Sequence, residues 1–198
     1  MEFLNALFTA ALDQNIVFGQ IVGMVAVILV AERPQDAFRF GGALWAACFS
    51  AGLIGWPLYT YFLAPWGLAY MASAAYLLVS CAVVFAVGAA CATGKPRAER
   101  QRIYRTCALV ALSAAVLAVP LSAAASPDVA TFDVALGYSI GAGLGVFVAV
   151  VLYATIRDRI DDRLVPGVLR GMPIALITAS LMALAFTGVA GIAGGLFV

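Results

Sequence analysis

The chain contains no histidine in 198 residues. That excludes the usual zinc site, a histidine-ligated haem and the common catalytic triads. Cysteine is scarce as well. Cys48, Cys81, Cys91 and Cys107 are the full set, none stands in a CxxC pair, and all lie in or beside apolar stretches, as buried free thiols do. Charged residues make up 11% of the chain, less than half of the roughly 25% usual in a soluble domain, so most of the surface is not built for water. Eleven Lys and Arg against ten Asp and Glu leave a net charge of +1, which gives no basic footprint for nucleic acid. The start, Met1-Glu2-Phe3, has no basic region and no small-residue cleavage site follows, so no cleaved leader is expected.

What is abundant is apolar sequence, at 65% of residues. A membrane-spanning helix needs roughly 20 mostly apolar residues. Six segments qualify, near 3–31, 40–62, 66–93, 106–125, 132–156 and 172–197. The expected fold class is therefore an all-α integral membrane protein with six transmembrane helices. All eleven basic residues fall in alternate connections: Arg33 and Arg39 after the first segment, Lys95 to Arg105 after the third, and Arg157 to Arg170 after the fifth. The opposite side carries Glu2, Asp128 and Asp133 and no basic residue. The positive-inside rule then places the three basic loops in the cytoplasm and both termini outside. Trp56, Tyr59, Tyr61, Phe62, Trp66 and Tyr70 crowd the outer end of the hairpin between the second and third segments, where amphipathic rings favour the headgroup layer.

The chain divides into three-segment blocks at 1–93 and 106–198, joined by a basic linker at 94–105. Three spans is an odd number, so the second block enters the membrane the other way up. Two such blocks make an inverted repeat, a common plan of transport folds. The fifth segment carries Gly137, Gly141 and Gly145 at spacing four, a stripe that lets a second helix approach closely, and the sixth ends in Gly188, Gly191, Gly194 and Gly195.

The polar interruptions are few. Leu12-Asp13-Gln14-Asn15 lies inside the first segment. A helix over 3–31 would run about 43 Å, longer than a hydrocarbon core of about 30 Å. The segment is thus tilted, broken, or begins at Asp13. A mid-membrane Asp13, with Gln14 and Asn15, would be an ion or proton pathway by default; a helix beginning at Asp13 would make it an N-cap. Pro120 is expected to interrupt the fourth segment by removing one backbone hydrogen bond. An irregular place in the lead segment of each block suggests discontinuous helices meeting near the midplane.

The last third carries a resemblance. Ala154-Thr155-Ile156-Arg157-Asp158-Arg159 leads through Val165-Pro166 to Leu169-Arg170-Gly171 and an Ile174-Ala175-Leu176-Ile177-Thr178-Ala179 helix. With Asn15-Ile16-Val17 and Gly23 near the start, this resembles the Rnf/Nqr membrane-subunit family on its RnfA/NqrE branch. The resemblance implies a subunit of a membrane electron-transport complex coupled to sodium or proton movement. It also implies pairing with a related subunit of opposite topology. In the family such a pair holds an intramembrane [2Fe–2S] cluster, with two cysteines from each subunit, one on each discontinuous helix. Here the matching positions are Val25 and Ala114, and a shifted register brings only Cys107 near the second. Such clusters take thiolates. The expectation is therefore a subunit serving as scaffold and ion path, without cluster ligands, in a complex whose flavin or iron–sulfur centres sit on partners in the bacterial inner membrane. No soluble redox domain or nucleotide motif is present, so the chain is not a complete oxidoreductase alone. The competing expectation is a small inverted-repeat transporter or channel without a redox role.

Overall fold

Helices that are apolar all round have no face to show to water, and they pack by shape against each other and against lipid. The computed structural model describes the chain except residues 1, 14, 21, 25, 26, 29–33, 126–130, 162, 197 and 198. Its described residues form helices and connections, with no strand. We label α1 Glu2–Phe8, continued by a π-helical turn Thr9–Asp13; α2 Pro34–Leu58, continued by a π-helical turn Tyr59–Leu63; α3 Ala72–Ala92; α4 Arg97–Ala111; α5 Ala114–Ala125; α6 Phe132–Asp158; and α7 Met172–Leu196.

Three described stretches are long and apolar enough to cross a membrane, Ala37–Leu63, Ala69–Ala92 and Phe132–Asp158. The pair α4 and α5 qualifies as a fourth when taken together, bent by 42° at its break. The first segment is not one helix: it leaves helical geometry after Asp13, so of the three expectations for it the broken form is found. The basic linker also differs from expectation. Residues 97–105 are already helical and belong to α4, because Pro96 in extended conformation starts the helix and Glu99 sits in its first turn.

α6 is the central helix, with 67% of its spanning stretch buried, whereas α3 has 22% and lies at the edge. α6 packs against α1, α2, α5 and α7. Its inner positions are small or slender, Ala135, Ala142, Val146 and Ala149, and so let four neighbours approach. The outward faces of α3 and α7 carry large apolar side chains, among them Leu78 and Leu184, as lipid-facing surfaces do. Around the α2–α3 connection Tyr61, Phe62, Trp66 and Tyr70 are exposed, and Trp56 meets Tyr61 edge-on at 6.5 Å.

Pro120 does not make the break in the fourth segment. It lies inside α5, and the interruption falls at Leu112-Ser113. Room for the proline ring comes from α2: a Cβ on Gly55 would stand 2.7 Å from the Pro120 Cβ. A proline that packs well can stay within a helix bundle at the loss of one hydrogen bond.

Candidate functional site

The first interruption is organised by Asn15, which is 2% exposed. Its Oδ1 accepts the backbone N–H groups of Val17 at 3.0 Å and Phe18 at 3.2 Å. Its Nδ2 donates to the carbonyl oxygens of Ala11 at 3.2 Å and Gly145 at 3.1 Å. An Asn amide has two donors and an oxygen with two lone pairs, and all four are used. Local bonding of this kind offers the backbone an alternative to helix. It closes the loop after the π turn and ties it to α6, which satisfies polar groups that would otherwise be stranded in an apolar interior. The backbone of Asp13 ends the π turn. Its side chain, and all of Gln14, lie outside the described residues.

The two interruptions meet. Gly23 has φ +80°, in the left-handed region that favours glycine. A Cβ there would lie 2.9 Å from the Ala115 Cβ and 3.2 Å from the Ser113 Oγ, so the loop backbone rests directly on the gap between α4 and α5. Across that gap the Ser113 N–H donates to Val110 at 3.0 Å, and the Val116 N–H donates to Ser113 at 3.2 Å. Ser113 is 4% exposed, and its Oγ has no partner among the described residues. Composition alone did not single out Ser113; the signal available was a hydroxyl between an apolar helix and the Ala114-Ala115 pair.

The glycine stripe of α6 lies on the first segment. Cβ atoms at Gly137 and Gly145 would each stand 2.7 Å from a carbonyl oxygen, of Phe3 and Ala11 respectively, and one at Gly141 would overlap the Leu7 carbonyl. Positions 3, 7 and 11 share the spacing of four, so two small-stepped rows run side by side. Gly143 faces the other way, against the Trp45 ring of α2. Of the C-terminal glycines, a Cβ on Gly188 would meet nothing within 4 Å, and the side-chain surroundings of 191–198 are not described.

The donors at the crossing do not suit an iron–sulfur cluster. Ser113, Ala114 and Ala115 stand opposite Gly23 with a hydroxyl, methyl groups and backbone; Val25 lies outside the described residues. The sulfurs are elsewhere. Cys48 is buried in α2, and Cys107 has its Sγ against Gly88 of α3, on a cavity that Cys91 also lines. Among the described residues no three Cys, Asp or Glu side chains gather closely enough to hold a metal.

The motif near the C-terminus builds a closed loop. The Arg170 guanidinium donates through Nε to the Val165 carbonyl at 2.9 Å and through Nη2 to that of Arg163 at 3.2 Å. Gly171, at φ +81°, then turns the chain into α7. The buried Tyr153 hydroxyl donates to the Ala175 carbonyl at 3.2 Å and fastens α6 to α7. The roles of Arg170 and Tyr153 are visible only in the folded chain.

Apolar helices packed around a central helix, with irregular backbone confined to a crossing inside the bundle, define a polytopic α-helical membrane protein. The match to known proteins narrows this class. The chain belongs to the family described as Rnf-Nqr subunit, membrane protein, whose model matches residues 3–193. It is 30% identical over 195 residues to a subunit of the ion-translocating oxidoreductase complex of Alcanivorax borkumensis, covering 96% of this chain and 97% of that one. It is likewise 30% identical to a subunit of the Na(+)-translocating ferredoxin:NAD(+) oxidoreductase complex of Acetobacterium woodii, covering 96% and 98%. The corresponding protein of Syntrophotalea carbinolica is 31% identical over 194 residues, covering 98% and 99%. All three relatives are of the RnfA type.

Proposed function

We propose that this chain is a membrane subunit of an ion-translocating oxidoreductase complex, in which it serves as scaffold and ion path and supplies no cluster ligands of its own. The observation that carries the reading is the family match over residues 3–193, nearly the whole of the sequence. The crossing supports the second half of the reading, since a hydroxyl, methyl groups and backbone replace the thiolates that a [2Fe–2S] cluster takes. Flavin or iron–sulfur centres then belong to partner subunits, one of them a related subunit of opposite topology.

Within this reading the chain crosses the bacterial inner membrane six times as two inverted three-helix blocks, 1–93 and 106–198, with both termini outside. Support comes from the confinement of all eleven basic residues to alternate connections, and from the meeting of the two interrupted lead segments. Asn15 is the positioning residue of the first interruption, and Asp13 and Gln14 are the polar groups assigned to the ion path.

The test is affinity purification of the tagged chain from membranes of its native host, with subunit identification and flavin and iron analysis. Co-purification with flavin-bearing and iron–sulfur subunits is the expected result. A stable homodimer without redox partners, passing solute when reconstituted, would instead establish the transporter reading.

A further inference from the structure

Between α2, α3 and α4 lies a cavity of about 650 Å³, within the range of small-molecule pockets. Its two ends differ in chemistry. Where the three helices end, Arg39, Lys95 and Arg102 line it together with one carboxylate, Glu99, and all four residues are exposed. Deeper in, Ala47, Val84, Gly88 and Val110 form the wall, with Val84 and Val110 buried. Two hydroxyls also line it, but each already gives its proton to its own helix. Ser50 Oγ donates to the Ala47 carbonyl at 3.0 Å, and Thr106 Oγ1 to that of Arg102 at 3.1 Å.

A sugar, a nucleotide or a hydrated ion entering the depth would lose water without gaining hydrogen bonds. An apolar molecule without charge would leave the three cations unused. An amphiphile with an anionic head satisfies both ends, because basic pockets between membrane helices attract phosphate headgroups while apolar walls take chains. The geometry points to a binding site for an anionic phospholipid, its phosphate held by Arg39, Lys95 and Arg102 and an acyl chain laid along α2, α3 and α4. The site requires only that this end of the bundle lie in the headgroup layer, so it stands or falls separately from membership of a redox complex.

Cys91 is exposed and lines the same cavity, which makes it a reporter in the unaltered protein. The delipidated full-length chain in detergent micelles is labelled with N-ethylmaleimide, and the Cys91 rate is read by peptide mass. Phosphatidylglycerol is expected to slow labelling by at least about fivefold, the effect of one basic residue on an anionic lipid, while phosphatidylcholine and glycerol 3-phosphate leave it unchanged. Lys95→Gln is expected to weaken the phosphatidylglycerol protection by about fivefold. Native mass spectrometry of the unaltered chain should retain phosphatidylglycerol in preference to phosphatidylcholine, and this decides the matter if the variant does not fold. Equal protection by phosphatidylcholine would overturn charge selection. Protection by glycerol 3-phosphate would show a free-phosphate site instead of a lipid site. Undiminished protection in Lys95→Gln would reduce the effect to micelle surface charge and overturn the site.

Discussion

The Nδ2 of Asn15 donates to the Gly145 carbonyl oxygen at 3.1 Å, joining positions 130 residues apart. The contact needs both partners to be what they are. The amide reaches across only because Gly145 lacks a side chain: a Cβ there would stand 2.9 Å from that same Nδ2. One interruption of the backbone and one glycine of the central helix thus define each other.

Asn15→Ala is expected to lower stability by about 3 kcal/mol, since it strands the Val17 and Phe18 N–H groups and the Gly145 carbonyl at about 1–3 kcal/mol each, partly relieved by water. Asn15→Asp keeps the acceptor and should lose less than Ala if the bonds to Val17 and Phe18 carry most of the effect. Unfolding in mixed micelles measures both; an Ala variant with unaltered stability would remove the clamp role.

Gly141→Ala should disrupt assembly although it adds one methyl, because that methyl overlaps the Leu7 backbone, which has no side-chain freedom with which to yield. A destabilisation of about 1–3 kcal/mol is expected, as for overpacking in general. Gly42→Ala is the control. Nothing stands within 4 Å of its Cβ position, and Ala favours helix over Gly by about 1 kcal/mol, so stability should hold or rise. Equal behaviour of the two variants in thermal unfolding would contradict the close contact.

Asp13→Asn, in the assembled complex, is expected to keep expression and assembly and to reduce coupled ion transport, because an amide holds no charge to match a cation. Full transport by the Asn variant would remove Asp13 from the ion path and leave it a role in the backbone break.

Iron analysis and electron paramagnetic resonance of the purified chain with its immediate partner should show no two-iron signal depending on this chain's cysteines. A signal abolished by Cys107→Ser would place a thiolate ligand in this chain and refute the assignment of centres to partners.

Labelling of single cysteines introduced within 95–105 should occur from the cytoplasmic side, and within 126–131 from outside, if the basic residues set orientation. Labelling of the basic stretch from outside intact cells would invert the topology.

Several features were legible before folding because they depend on composition or local pattern. A chain with 11% charged residues and long apolar segments has to live in lipid, whatever its contacts. The polar run 12–15 marked the first interruption because polar groups in an apolar helix find other partners, and Gly137, Gly141 and Gly145 marked a close-packing stripe by spacing alone. The second interruption was not legible. Leu112-Ser113 contains no residue that ends a helix by itself, while Pro120, the obvious local breaker, sits within α5. The outcome is decided by what packs there. The Gly23 loop occupies the gap at Ser113 and Ala115, and Gly55 makes room for the proline ring, so tertiary contacts override local preference in both places. The same holds for Asn15, whose fourth hydrogen bond goes to a helix far along the chain, and for the cavity, whose charged end draws on side chains from three separate parts of the sequence. A one-dimensional pattern records periodicity and polarity; it does not record which distant backbone will fill a gap.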